Sequence, residues 1–222
     1  GKAYGLDMTP EMLALARGHL TMEDVLAVRR RMIGTGLIGG KAAGMLLARA
    51  ILRGANGRWQ EILEPHDSYF VGSDVFYSYL VSNGCWRARQ RQRDEASFLE
   101  GQEEAQRRML AGTFPEFVRD QFAEMLEYFG QAPIVVRSSS LLEDSFGNAF
   151  SGKYESVFCA NQGSPQDRLE AFLAAVRHIY ASAMGREALQ YRAQRGLLDR
   201  DEQMALLVQR VSGATHGRLF FP

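Results

Sequence analysis

At 222 residues the chain is long enough for one large domain or two small lobes, and a chain of that size buries roughly 70% of its unfolded surface without staples. Twenty-six basic residues balance 26 acidic ones, so no bulk field draws the chain to nucleic acid or an anionic membrane, and any anion site must be local. Cys85 and Cys159 are too few for a disulfide framework and lack metal-ligand spacing, which points to buried or half-buried thiols in a reducing compartment.

In chain order, Thr9-Pro10-Glu11 reads as a cap with proline in the first turn, and Thr21-Met22-Glu23-Asp24 as a second helix start. Residues 1–33 are therefore expected to be two helices without evident chemistry. A glycine-rich loop, MIGTGLIGGK, then opens into a helix with Met45, Leu46, Ala50 and Ile51 at helical spacing. The longest apolar stretch, Ala42 to Leu52, is broken by Arg49 and falls far below the roughly 20 residues that span a bilayer. No signal-peptide core follows the amino terminus, so a cytoplasmic protein is the expectation.

Ser68 to Val71 reads as a short strand, and Ser73 or Asp74 as the cap of a helix through Leu80 that ends at Asn83-Gly84. Residues 87–112 are dense in charge of both signs and lack interleaved aromatics. That pattern suits a solvated helix better than an arginine-rich RNA-binding one, whose affinity would be salt-sensitive. Thr113-Phe114-Pro115-Glu116 has the form of a capping box opening an amphipathic helix to about Phe129, stopped by Gly130.

The run IVVRSSSLLEDSFGNAFSGKYES, residues 134–156, is the most informative. Ile134, Val135 and Val136 suit a strand covered on both faces, and it delivers Arg137 into a loop of serines, glycines and two carboxylates. A guanidinium beside Ser138, Ser139, Ser140, Gly147, Ser151 and Gly152 suits a phosphate, because small residues let backbone N–H groups approach an anion. A structural ion pair with Glu143 or Asp144 is the alternative. Beyond this run, 157–159 reads as a return strand, and Ser164-Pro165-Gln166-Asp167 caps a long helix that buries Leu169, Phe172, Leu173, Val176, Ile179 and Tyr180. Residues 205–211 form a strand carrying Gln209, whose amide either reads a base edge or satisfies a neighbouring backbone group. A further strand at 218–221 leaves a glycine-containing turn, so a sheet is expected to continue past Pro222. The order of elements predicts an α+β fold.

Gly39-Gly40-Lys41 at a helix start is a second anion signal, since a lysine there adds a point charge to the helix dipole and free N–H groups. It is not a P-loop: Thr35 stands where glycine is required and Ala42 where a Mg²⁺-binding hydroxyl is required. A plain loop-to-helix junction is the competing reading. His19, His66, His178 and His216 are scattered, with no metal pair and no nucleophile-and-base arrangement.

Taken together, LIGGKAAGM, VRSSSLLEDSFGNAFSGKYES and ALLVQRV resemble the nucleotide-binding domain of the phosphoenolpyruvate synthase and pyruvate phosphate dikinase family, a domain shared with rifampicin phosphotransferase and glucan water dikinase. The resemblance covers roughly residues 30–222, leaving 1–29 as a helical extension. It implies the N-terminal lobe of an ATP-grasp domain, with a mixed sheet flanked by helices and cut short at its carboxyl end. By resemblance, Lys41 contacts the ATP phosphates, Arg137 holds them during transfer, and Gly39, Gly40 and Ser138 belong to the same nucleotide site. Gly152 and Ser156 match the small residues of a loop over the triphosphate that excludes water, and Gln209 the edge of the base pocket.

The implied enzyme passes a phosphoryl group from ATP to a histidine of a separate domain, and on to an acceptor such as pyruvate. Departures are Ala42, where the family often has glycine, and Ser140, Leu141 and Leu142, where it has alanine-threonine-alanine. The family's Mg²⁺-binding acidic residue lies in a later segment, and the phosphohistidine and pyruvate-binding domains are absent, so this chain alone is expected to be inactive. A noncatalytic nucleotide-sensing or interaction module that keeps the fold is the rival.

Overall fold

The computed structural model describes residues 2–3, 6–7, 10–64, 66–140, 142, 154–200, 202–217 and 219–221. A short antiparallel pair, β1 (Lys2–Ala3) and β2 (Leu6–Asp7), precedes the two expected helices, α1 (Pro10–His19) and α2 (Met22–Arg30). Thr21 and Asp24 form a reciprocal capping box, which supplies partners for backbone N–H groups that a helix start leaves orphaned. That strand pair is an addition to the helical reading of this segment.

The following elements are β3 (Met32–Ile33), α3 (Gly39–Ala55), α4 (Arg58–Ile62), β4 (Ser68–Val71), α5 (Ser73–Ser82), α6 (Trp86–Arg91), α7 (Gln102–Ala111) and α8 (Glu116–Phe129). After them come β5 (Ile134–Ser140), β6 (Ser156–Cys159), α9 (Pro165–Ser182), α10 (Arg186–Gln194), β7 (Met204–Arg210), β8 (Ala214–His216) and β9 (Leu219–Phe221). The main sheet has the order β3-β4-β7-β5-β6. Its β3–β4 pair is parallel and the others antiparallel, which makes the sheet mixed and the fold α+β. β8 and β9 form a separate hairpin, so the last strand pairs locally and does not extend the main sheet.

The central strand β7 explains the two-layered core. Its residues from Met204 to Val208 are all buried, because helices cover both faces. Leu206 and Val208 join Ile134, Val136 and the buried row of α9 in the larger core, while Leu207 and Phe70 pack with Ala42, Ala43 and Leu47 of α3. Ser164 and Asp167 cap α9 reciprocally, and all six apolar positions expected on its inner face are buried. Both cysteines are free and buried; burial raises the Cys85 thiol and pushes that of Cys159 up to about 11.

Three local expectations are corrected. Ser73 and Asp74 do not cap α5: Gly72 takes the N-cap position, and both side chains turn to the glycine loop instead. The capping box at 113–116 is not formed. Pro115 occupies the N-cap of α8, while Asn83 holds the Thr113 backbone through its N–H (2.8 Å) and its carbonyl (3.0 Å). The charged stretch is two helices joined by turns, with Arg89 and Gln92 buried. Its outer charges behave as a solvated face, Arg107 and Arg108 pairing with Glu104.

A polar island lies inside the larger layer. Arg192 and Glu202 form an ion pair (3.2 Å) with no solvent exposure on either side chain, and Arg192 also donates to the Ala183 carbonyl (2.7 Å). The Glu202 carboxylate accepts from the hydroxyls of Ser140 and Tyr154. Arg89 lies close enough to be affected: burial first, and then Arg192, push its guanidinium down to about 10, against the pull of Glu202, Tyr154 and Tyr77. Removing one member of a buried pair strands the other without counter-charge, so Arg192→Ala is expected to lose about 3–5 kcal/mol of stability. Urea unfolding followed by circular dichroism measures it; an unchanged midpoint contradicts the role given to the pair.

Candidate nucleotide-binding site

The site begins with the loop between β3 and α3. The Asp74 carboxylate accepts the N–H groups of Thr35 (3.0 Å) and Gly36 (2.7 Å), and the Ser73 hydroxyl accepts that of Leu37 (3.1 Å). These loop amides are therefore committed to protein acceptors, which sets the loop apart from a phosphate-cradling P-loop. Sequence reading missed this use of Ser73 and Asp74, because a Ser-Asp pair at a helix start carries the same local signature whether it caps its own helix or holds another loop.

Helix α3 is seated directly on the end of β5. Gly39 has a φ of +78°, and a side chain there would collide with the Ser139 carbonyl. The Ser139 hydroxyl donates to the Ile38 carbonyl (2.8 Å) and accepts the Ala42 N–H (3.1 Å), clasping the first turn. Gly39→Ala is expected to abolish this seating and leave little folded protein, a loss visible as a collapsed cooperative melt; a native-like melt rules out the close approach.

The three consecutive serines have three different partners. Ser139 holds α3, Ser140 bonds Glu202, and Ser138 accepts a hydrogen bond from the Lys41 ammonium at 3.2 Å. The contact of Lys41 is with the residue next to Arg137, so the two cations, 96 positions apart by their numbers, are brought to neighbouring points of one strand.

Register places the remaining candidates. Arg137 lies opposite Ser156 on one side and Leu207 on the other, and residues directly opposite in antiparallel strands share a face. Since Leu207 packs against α3, Arg137 and Ser156 stand on the α3 face, and both are exposed. Among the described residues no ion pair engages Arg137. Glu143, Asp144, Gly147, Ser151 and Gly152 lie outside the described residues.

Gln209 sits two residues beyond Leu207 on that same face. Half-buried, its amide donates to Met45 Sδ (3.3 Å) and Ser68 Oγ (3.4 Å). Ser68 is also in hydrogen-bond contact with His66 Nδ1 (3.2 Å). Thus Arg137, Ser156 and Gln209 share one sheet face, crossed by the helix that Gly39 and Gly40 start and that carries Lys41, while Ser138, opposite Leu206, turns to the other face at the strand end where Lys41 meets it.

His66 and Ser68 also line a cavity of about 360 Å³ with Arg31, Asp24 and Leu46. Nothing in the sequence singled out His66, since its neighbours come from α2 and α3. Burial foremost, then Arg49 and Arg53, hold its imidazole below the ordinary value of 6.5. A depressed histidine stabilises the fold while it is neutral, and that contribution fades as the unfolded state takes up protons below about pH 6.5. The drop in urea midpoint between pH 7.5 and pH 5.5 is therefore expected to be smaller in His66→Gln than in wild type; equal drops remove His66 from the linkage.

A family model described as the pyruvate phosphate dikinase AMP/ATP-binding domain matches residues 35–218. The chain belongs to this family. The match runs from the loop held by Asp74 to the β8–β9 hairpin, and so spans every described residue of the site. No curated protein matches the chain. No described helix is long and apolar enough to cross a membrane. Among the described residues no three His, Cys, Asp or Glu side chains gather to hold a metal ion.

Proposed function

We propose that the chain is the ATP-binding part of a phosphotransferase of the phosphoenolpyruvate synthase or pyruvate phosphate dikinase type. The observation that carries the reading is the placement of the Lys41 ammonium on Ser138, beside an exposed Arg137 that makes no ion pair among the described residues. Two cations at one strand end suit a polyphosphate: the ammonium acts as a point charge, and the planar fork of the guanidinium takes two oxygens at once. Gln209, on the same face, supplies an amide for a base edge. Ser156, directly across from Arg137, leaves the guanidinium a small neighbour and so room for phosphate oxygens.

In this reading Lys41 and Arg137 neutralise charge as a phosphoryl group leaves ATP, which is the main protein contribution to such transfers. The group passes to a histidine of a separate domain of the full protein and then to an acceptor such as pyruvate. Mg²⁺ supplies further charge neutralisation when bound.

Calorimetric titration of ATP, with and without Mg²⁺, into wild type, Lys41→Ala and Arg137→Ala tests the assignment. Each substitution is expected to weaken binding about 10- to 100-fold, the loss of a charge-assisted hydrogen bond worth about 1.5–3 kcal/mol. Equal affinity in all three proteins removes both residues from the site.

A further inference from the structure

The Glu202 carboxylate is the one fully buried acid in the described structure, and its contacts go to elements far apart in the chain. It accepts the hydroxyl of Ser140, the last residue of β5, and that of Tyr154, two residues before the start of β6. Arg192 of α10 donates to the same carboxylate oxygen that Tyr154 bonds (3.2 Å). Arg137 lies three residues before Ser140, and Ser156 two residues after Tyr154, and these two are partners across β5 and β6. A single acid therefore ties together the two strand ends that lead directly to the Arg137–Ser156 pair.

The arrangement costs stability in a way that packing alone does not require. A charged group taken out of water is compensated only where its hydrogen bonds are complete, and an apolar replacement is often as stable. Here the surrounding positive charge is in excess. Arg89 is also buried, with its Nη1 lacking a hydrogen-bond partner, and it feels both Arg192 and Glu202. What the polar island supplies is direction, because hydroxyl-to-carboxylate bonds fix Ser140 and Tyr154 relative to each other as apolar contacts would not.

We propose that Glu202 is a positioning residue of the nucleotide site: held by Arg192, it sets, through Ser140 and Tyr154, the register of the strand ends that present Arg137 to phosphate. This rests on the nucleotide reading above. Glu202 touches no substrate in this role and acts through Arg137.

Tyr154→Phe and Ser140→Ala each remove one hydroxyl and leave the Arg192–Glu202 pair in place, so both variants retain a cooperative melt. ATP affinity is expected to fall about 10-fold in each when measured by calorimetry on the same chain. In an Arg137→Ala background the further loss from Tyr154→Phe is expected to shrink to less than about twofold, a coupling that a general loss of stability does not produce. Wild-type affinity in both single variants, or an equal loss in the two backgrounds, overturns the inference while leaving the nucleotide reading intact. No ATP binding by wild type overturns the nucleotide reading and this inference together, and unchanged binding in Arg137→Ala overturns this inference and removes Arg137 from the site.

Discussion

The seating of α3 on the end of β5 is the contact on which the rest of the arrangement depends. Gly39 brings the helix start against the Ser139 backbone, and Ser139 returns the contact with two hydrogen bonds. Because the helix is fixed there, Lys41 reaches Ser138 and Met45 reaches Gln209. One close approach thus sets the positions of a cation and an amide at opposite ends of the same face. The Asp74 and Ser73 bonds to the preceding loop hold that approach from the other side.

Local pattern made much of the fold legible. The apolar run at 134–136 and the buried run before Gln209 became β5 and β7, and the cap at Ser164 with its apolar row became α9, since each signal lies within a few residues of its consequence. Of the site, the residue types could be read but not their arrangement. Arg137 and Lys41 stand out in sequence because a guanidinium after a buried strand and a lysine at a glycine-led helix start are chemically marked. Their proximity follows from the long-range Lys41–Ser138 contact, and the shared face of Arg137, Ser156 and Gln209 from register.

What was hidden depends on long-range partners. Glu202 collects hydroxyls from residues 62 and 48 positions away, and no local spacing announces that. Ser73 and Asp74 carry a cap signature that tertiary contacts redirect, and Asn83 claims the Thr113 backbone that a capping box would have used. Arg89 sits in a run of charges that reads as solvated, yet α6 turns it inward. Ser73 and Asp74 thus satisfy distant backbone groups in preference to their own helix.

The position of β6 has a different consequence. Among the described residues it has a single neighbour in the main sheet, and its Phe158 is 72% exposed. The margin of a sheet with an exposed aromatic ring is a template for adding another strand. An edge of this kind is where a strand of another molecule would find its backbone partners, the same ladder that already joins β5 to β6 and β7.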